Sequence, residues 1–281
     1  MQKNMQSIQS KKYTTASSRI VVALVAVLPM MSLIGGAHAD PDAKPVLTDG
    51  KATGKAKAEA KTPKRVLMVV TSHGTLGETG KPTGMWLEEF VAPYNEFKRA
   101  GYEIDVASIK GGQVPVDPGS TGNPKSVWVK RFSADPTMQG KIKNSVPVSA
   151  VQENDYDGVM LVGGHGTVWD FPGSQPLKAI VDKAVDANKV VGAVCHGVCG
   201  LTGKAVAGQR VTGFSDAEEQ MIGLTDVVPL STEKQLKGQR GRYSAGPAFR
   251  AHAVSDRGLI TGQNPMSSRQ TARRMIRAMK K

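Results

Sequence analysis

The chain has 281 residues, with 37 Lys and Arg against 24 Asp and Glu, and only two cysteines. Two cysteines are too few for a secreted fold built on disulfides, so an apolar core must stabilise the domain. The basic residues near the C-terminus have no aromatic residues among them and no nucleic-acid-binding motif beside them, so we expect no nucleic-acid partner.

Residues 1–39 have the three parts of a secretory signal: a basic leader, an apolar run at 20–34 and an Ala-x-Ala end. A membrane anchor is the alternative, but Pro29 interrupts the run, which is shorter than the ~20 residues that span a bilayer. We therefore predict an exported protein, periplasmic or secreted, that is cleaved after Ala39 and keeps no stable membrane insertion. Residues 40–64 are poor in large apolar side chains and predict a flexible linker.

Strand and helix patterns alternate through a single predicted domain at 65–281. Apolar runs predict strands at 66–70, 102–108, 159–162, 190–194, 211–214, 251–254 and 259–260. Helical spacing predicts helices at 85–100, 177–187 and 267–279. Residues 110–150 are polar and rich in proline, which predicts an irregular insertion outside the central fold. The alternation predicts an α/β domain with a mostly parallel sheet, whose site lies at the carboxyl ends of the strands.

The segment VVGAVCHG at 190–197 has the pattern of a nucleophile elbow, in which a buried strand turns sharply into a helix. Small neighbours of Cys195 permit the turn, and backbone N–H groups at a helix start can bind a developing oxyanion. We expect the helix N-terminus to lower the pKa of the Cys195 thiol. An inert buried cysteine is the alternative.

Four ordered motifs, GGHGTVWDFP, AVCHGVCGL, VTGFSDAEE and LITGQNPMSS, resemble the ThiJ/PfpI superfamily, which shares the class I glutamine amidotransferase-like fold. Within it the chain is most similar to the branch of glyoxalase III and heat-shock chaperone proteins. The resemblance covers about residues 65–280. It implies a flavodoxin-like three-layer sandwich without a cofactor, commonly paired into a homodimer. No cluster of His and Cys residues has the spacing of a metal site.

The resemblance also implies roles for individual residues. Cys195 would be the nucleophile, His196 its partner, and Glu219 the acid that follows the GFSD motif, with Glu218 and Asp216 as neighbouring alternatives.

A further family carboxylate on the first helix would be Glu89, although Glu88 is adjacent and either could face the site. The oxyanion donors would be the backbone N–H groups of Gly164 and His196, with His165 beside them in the binding site.

One departure from the family is Val198-Cys199, where Pro-Ala commonly follows Cys-His-Gly. On a regular helix the Cβ atoms of Cys195 and Cys199 would be roughly 6 Å apart, beyond the ~3.8 Å of a relaxed disulfide. Cys199 could still resolve a sulfenic acid on Cys195 if the elbow yields. The alternative is a small side chain that packs in the core.

Three functions remain open at this point. The first is a cofactor-independent, cysteine-dependent conversion of a 2-oxoaldehyde to a 2-hydroxy acid, as in the glyoxalase III branch. The second is hydrolysis of an amide or peptide by a Cys-His-Glu triad. The third is stress protection without turnover, by a redox-responsive chaperone.

Overall fold

The structure is a computed structural model that describes residues 64–152 and 155–280. The predicted signal sequence at 1–39 and nearly all of the predicted linker lie outside the described residues. Within the two described ranges, no helix combines the length and the apolar character needed to cross a membrane.

The central sheet has seven strands in the order β3-β2-β1-β4-β5-β9-β8, and a separate pair is formed by β6 and β7. All neighbours in the large sheet are parallel except β8, which runs antiparallel to β9. The strands are β1 (Arg65–Val70), β2 (Glu103–Ser108), β3 (Val146–Pro147), β4 (Gly158–Leu161), β5 (Val190–Val194), β6 (Arg210–Val211), β7 (Arg242–Tyr243), β8 (Ala253–Asp256) and β9 (Leu259–Gly262).

Helices connect the strands and cover both faces of the sheet. They are α1 (Leu87–Arg99), α2 (Pro118–Thr121), α3 (Val127–Ser133), α4 (Pro136–Lys143), α5 (Thr167–Asp170), α6 (Gln175–Asp186), α7 (Gly203–Val206), α8 (Asp216–Met221), α9 (Thr232–Gly238) and α10 (Ser268–Ala278). Short 3-10 helices span Gly77–Thr79, Val148–Ala150, Cys195–Gly200 and Pro265–Ser267.

Alternation along β1 divides the core into two layers. Met68 belongs to the cluster that includes side chains of α1 and α10, whereas Leu67 belongs to the cluster on the other face, with side chains of α6. Both residues are fully buried, because β1 lies in the middle of the sheet and is covered on both sides. The predicted three-layer sandwich with a mostly parallel sheet is confirmed.

Two expectations about local structure were wrong. The strand predicted at 211–214 contributes only β6, outside the large sheet. The region 110–150 is not irregular: it holds α2, α3 and α4, and β3 extends the sheet at its edge. Two of its prolines start helices, since Pro118 and Pro136 occupy first-turn positions where no backbone donor is lost.

Candidate active site

Cys195 lies at the carboxyl end of β5, at a sharp turn of the backbone. Its φ is +56°, in the left-handed region that costs a non-glycine residue roughly 1–2 kcal/mol. The following segment, Cys195–Gly200, is a 3-10 helix rather than the regular helix expected. The predicted nucleophile elbow is present in this form.

His196 connects the cysteine to a carboxylate. Its Nδ1 lies 3.3 Å from the Sγ of Cys195, and its Nε2 lies 2.7 Å from an Oε of Glu219. A carboxylate can only accept, so Nε2 carries the hydrogen and Nδ1 is left to accept the thiol proton. Cys195, His196 and Glu219 are therefore arranged as a nucleophile, a base and a group that orients the base.

A second imidazole binds the same carboxylate. His165 Nε2 lies 3.0 Å from the other carboxyl oxygen of Glu219. The ring centroids of His165 and His196 are 4.2 Å apart, and Phe214 covers His196 at 4.5 Å. Burial alone would raise the pKa of Glu219, but the bonds to the two histidines outweigh it and lower the pKa to about 2. Burial, reinforced by His165 and opposed by Glu219, lowers the pKa of His196 to about 4.

Glu89 approaches the cysteine from α1. Its side chain is fully buried, and neither carboxyl oxygen has a hydrogen-bond partner among the described residues. Burial raises the pKa of Glu89 well above its usual value, an effect that the nearby Cys195 thiol only partly opposes. A Cβ atom on Gly163 would lie 2.3 Å from the Glu89 carboxyl, so only glycine there leaves room for it. Burial without a partner of opposite charge therefore favours the protonated form of Glu89 beside the sulfur.

The expectation of a lowered pKa for the Cys195 thiol was wrong. Burial raises it well above the usual value, and Glu89 raises it further. One short 3-10 turn contributes too little positive potential to offset complete desolvation. The resting nucleophile is therefore a thiol, and His196 must remove its proton when substrate arrives.

A cavity of about 220 Å³ opens above these groups, and both Cys195 and Glu89 line it. The glycine at 164 lines it too, with a φ of +109°. A Cβ at this position would lie 2.3 Å from the carbonyl oxygen of Gly84, so the close approach of the two loops requires glycine. The predicted binding residues Gly164, His165 and His196 are thus together at one cavity.

The family model described as DJ-1/PfpI family matches residues 82–278. The chain belongs to the DJ-1/PfpI family. It is 31% identical over 233 residues to Glyoxalase 3 of Candida albicans, covering 76% of this chain and 98% of that protein. It is 30% identical over 239 residues to the glutathione-independent glyoxalase HSP31 of Saccharomyces cerevisiae, covering 78% of this chain and 99% of the relative.

A solved structure shows a similar fold. The Rapid Encystment Protein 24 KDa of Francisella tularensis has a TM-score of 0.73 and 37% identity, covering 77% of this chain and 99% of that one.

In this DJ-1/PfpI chain the structure shows which glutamate of each adjacent pair contacts the catalytic groups. Glu219 faces the histidines, while Glu218 points away and accepts hydrogen bonds from the backbone and side chains around it. Glu89 is fully buried beside the cysteine, whereas Glu88 is half-buried and lines the cavity. Burial raises the pKa of Glu88 to about 7, opposed by a hydrogen bond from Trp128.

Cys199 lies on the other side of the sheet from the cavity. Both cysteines are free thiols, but Cys195 belongs to the core cluster shared with α1 and Cys199 to the cluster shared with α6. Burial raises the pKa of Cys199 far above its usual value. These surroundings favour the packing role, and the redox role of Cys199 stays a prediction.

Among the residues that the structure describes, the three groups close enough to hold a metal ion are the same three that pair with one another. Nitrogen and oxygen atoms of His165, His196 and Glu219 all lie within 4.8 Å of each other. Their hydrogen bonds of 2.7 and 3.0 Å already use both carboxyl oxygens. The spacing of these residues along the chain gave no sign of this cluster, because 54 positions separate His165 from Glu219.

Sequence reasoning missed the apolar part of the site. Phe214, Phe249 and Met266 line the cavity together with the catalytic groups. Phe214 was visible as the F of the GFSD motif, but it was read only as part of a strand. Met266 lies within the LITGQNPMSS motif, but no side-chain role was assigned to it there, and Phe249 lies outside all four motifs.

Proposed function

We propose that the protein is a glutathione-independent glyoxalase that converts a 2-oxoaldehyde and water into a 2-hydroxy acid. The observation that carries the proposal is the fully buried Glu89 carboxyl beside the Cys195 thiol, where burial favours the protonated form. A triad alone explains a nucleophile, but a second buried acid against the sulfur supplies the proton carrier that an enediol route needs. The names of the two fungal relatives support the same activity.

The first step is addition of Cys195 to the aldehyde carbon. His196 accepts the thiol proton at Nδ1, and the sulfur forms a bond to the carbon. Glu219 stabilises the imidazolium that results. Glu89 gives its proton to the new oxyanion, which leaves a hemithioacetal and a Glu89 carboxylate. The family's oxyanion donors, the N–H groups of Gly164 and His196, would hold that oxygen.

The second stage moves a proton from one carbon to the next. The Glu89 carboxylate removes the former aldehyde hydrogen as a proton, while the imidazolium of His196 protonates the ketone oxygen, giving an enediol. Glu89 then protonates the second carbon, and His196 takes the proton of the remaining hydroxyl, which gives a thioester. Water attacks the thioester, Glu89 accepts a proton from the water, and His196 protonates the departing sulfur. The sum is one water added and no net oxidation or reduction.

The size of the cavity also bears on the choice of substrate. About 220 Å³ is below the range of roughly 300–1,000 Å³ that is typical of drug-sized ligand pockets. A small dicarbonyl fits such a space, whereas a peptide substrate needs an extended cleft. Amide or peptide hydrolysis and chaperone action without turnover stay alternative hypotheses.

The deciding experiment measures lactate formed from methylglyoxal by residues 40–281 in the absence of glutathione. We expect turnover by the wild type and its loss in Cys195→Ser, with circular dichroism as the control for folding. No lactate from a folded wild type, together with release of amine from amide substrates, would favour the hydrolase. Suppression of client aggregation by Cys195→Ser at the wild-type level would separate any chaperone action from the thiol.

We also propose export, with cleavage after Ala39, on the strength of the signal pattern in residues 1–39. N-terminal sequencing of the protein from a periplasmic or culture fraction should begin at Asp40. A full-length chain confined to the cytoplasm would contradict the proposal.

A homodimer is proposed from the family resemblance alone. Light scattering of the purified protein should give twice the monomer mass, and a monomer at all concentrations would contradict it.

A further inference from the structure

Apolar side chains surround the mouth of the catalytic cavity. Ile222, Phe249, Pro265 and Met266 line it at its solvent side, and we call these four residues the apolar rim. Ile222, Phe249 and Met266 are 41%, 42% and 48% exposed. Among residues 64–152 and 155–280, six large apolar side chains are exposed, so half of them lie at this one cavity. Such a concentration of exposed apolar surface marks a binding site.

One buried carboxylate joins the three chain segments that carry the rim. Glu218 is fully buried. One of its oxygens accepts from the backbone N–H of Phe249 at 2.8 Å and from Asn264 Nδ2 at 2.7 Å. The other accepts from Gln263 Nε2 at 2.9 Å and from Ser215, through its backbone N–H at 3.1 Å and its hydroxyl at 2.9 Å. Five donors satisfy a charge that would otherwise be costly to bury.

The position of Phe249 is enforced rather than incidental. Its φ is +52°, a left-handed conformation that is uncommon for a bulky aromatic residue. The hydrogen bond from its N–H to Glu218 fixes the backbone at that point. Its ring lies 6.4 Å from Phe214, whose ring lies 4.5 Å from that of His196. An aromatic series thus runs from the catalytic base to the rim.

The cavity therefore has two chemically different ends. At the inner end Cys195, His196 and Glu89 are at most 3% exposed, and they carry all the proton-transfer groups of the proposed reaction. The rim at the outer end offers only apolar side chains. When the aldehyde carbon of a 2-oxoaldehyde is bonded to the Cys195 sulfur at the inner end, that carbon carries only a hydrogen. The larger group is attached to the ketone carbon, and the rim is the part of the cavity left for it.

We propose that the apolar rim is a subsite for the ketone substituent, and that the preferred substrates are 2-oxoaldehydes with an aryl or branched alkyl group instead of methyl. This inference rests on the proposed glyoxalase function and names its substrate class. Apolar contacts with Phe249 and Met266 would stabilise the substituent in both the bound substrate and the enediol. The chemistry is unchanged: phenylglyoxal and one water give mandelate, as methylglyoxal and one water give lactate.

The test compares kcat/KM for phenylglyoxal, tert-butylglyoxal and methylglyoxal in four proteins. These are the wild type, Phe249→Ala, Met266→Ala and Val127→Ala. Val127 is the matched control, because it is equally exposed at 49% on α3 but does not line the cavity. The three substituted side chains are each more than 40% exposed, and circular dichroism checks that each variant is folded.

We expect each rim variant to lower the ratio of the bulky substrates to methylglyoxal by roughly tenfold, the size of effect that one or two methylene groups produce in an apolar pocket. Val127→Ala, outside the cavity lining, should leave both the ratio and kcat/KM for methylglyoxal unchanged. Comparing variants by ratio removes the intrinsic difference in reactivity between the aldehydes.

Three negative outcomes would be distinguishable. If all folded variants process methylglyoxal and the ratio does not move, the rim is not a substituent subsite, although the glyoxalase proposal survives. If the wild type processes none of the aldehydes, both proposals fall. Loss of client-aggregation suppression in the rim variants, with an unchanged ratio, would assign the rim to protein docking and overturn the subsite.

Discussion

Helices α1 and α8 each place one glutamate of an adjacent pair at the active site, and the surroundings of these two carboxyl groups favour opposite protonation states. On α1, Glu89 is buried against the cysteine, its carboxyl oxygens have no hydrogen-bond partner in the described part of the chain, and burial raises its pKa well above the usual value. On α8, Glu219 is also buried, yet its hydrogen bonds with two histidines lower its pKa to about 2. Burial is shared, so the hydrogen-bond partners decide which carboxyl keeps its proton. The site thereby has an acid on one side and a carboxylate on the other.

The largest effect is expected when the acid on α1 is removed. Glu89→Gln keeps the shape of the side chain but cannot carry a proton, so kcat/KM for methylglyoxal should fall about 10³-fold, within the range of general acid–base catalysis. Glu88→Gln is the matched control, and it should lower kcat/KM by less than about fivefold, since Glu88 does not contact the cysteine in the proposed reaction. Equal losses in the two variants would show that the acid is not confined to Glu89.

Replacing the carboxylate on α8 should have a smaller effect. In Glu219→Gln the amide oxygen can still accept from one imidazole, but its NH₂ group faces the other and disturbs the tautomer of His196. We expect kcat to fall about 10²-fold with a smaller change in KM, because Glu219 acts through His196. A variant that loses KM alone would mean that Glu219 binds substrate instead.

The neighbour of that carboxylate should matter for stability rather than chemistry. Glu218→Gln replaces an acceptor of five hydrogen bonds with a side chain that brings its own donors. We expect the free energy of unfolding to fall by about 2 kcal/mol, the value of hydrogen bonds to a charged group. Urea denaturation measures it, with Glu78→Gln on the exposed 3-10 helix Gly77–Thr79 as the control. An unchanged midpoint would contradict the role given to Glu218.

The two sides of the site should also respond to pH in opposite directions. The folded pKa of Glu219, about 2, is below its unfolded value of 4.5, so its contribution is complete above pH 4.5 and is lost as the pH falls toward 2. Burial lowers the folded pKa of His196 to about 4, below its unfolded value of 6.5. Its contribution to stability is therefore complete above pH 6.5 and is lost as the pH falls toward 4. Glu89 has a raised pKa, so its contribution is complete below pH 4.5 and is lost as the pH rises through its folded pKa.

Denaturation midpoints across pH test these signs. Glu219→Gln should flatten the stability profile below pH 4.5, and Glu89→Gln should flatten it above pH 4.5. If Glu89→Gln flattens the acid side instead, the carboxyl is ionised in the folded protein and the comparison fails.

The smallest effect is expected at Cys199. Cys199→Ala removes a sulfur from the cluster shared with α6, on the face of the sheet away from the cavity. Activity should stay close to the wild-type level, since Cys199 does not line the cavity. Mass spectrometry after peroxide treatment should find oxidised Cys195 without a Cys195–Cys199 linkage. A linkage would establish the redox role.

The sheet and the nucleophile were predictable because they depend on local patterns. A continuous apolar run marks β5 as a buried strand, and the small residues after it mark the elbow at Cys195. The family motifs added His196, Glu219 and Glu89. The state of these groups was not predictable, because the thiol pKa depends on burial and on Glu89, which lies more than a hundred residues away in the chain.

The apolar rim and its support were beyond sequence reasoning for a related reason. The placement of Phe249 and Met266 at the cavity depends on Glu218, whose carboxylate bonds to segments 31 and 46 residues away from it in the chain. Residues in the region 110–150 were misread because proline signals both loops and helix starts, and only the capping contacts of Asp117 and Asp135 distinguish the two.

Infrared difference spectroscopy at neutral pH tests the central claim about the two carboxyls most directly. Against the wild type, Glu89→Gln should remove a carbonyl band of a protonated carboxyl group, and Glu219→Gln should remove a carboxylate stretching band. Loss of a carboxylate band in Glu89→Gln, or of a protonated carbonyl band in Glu219→Gln, would contradict the account.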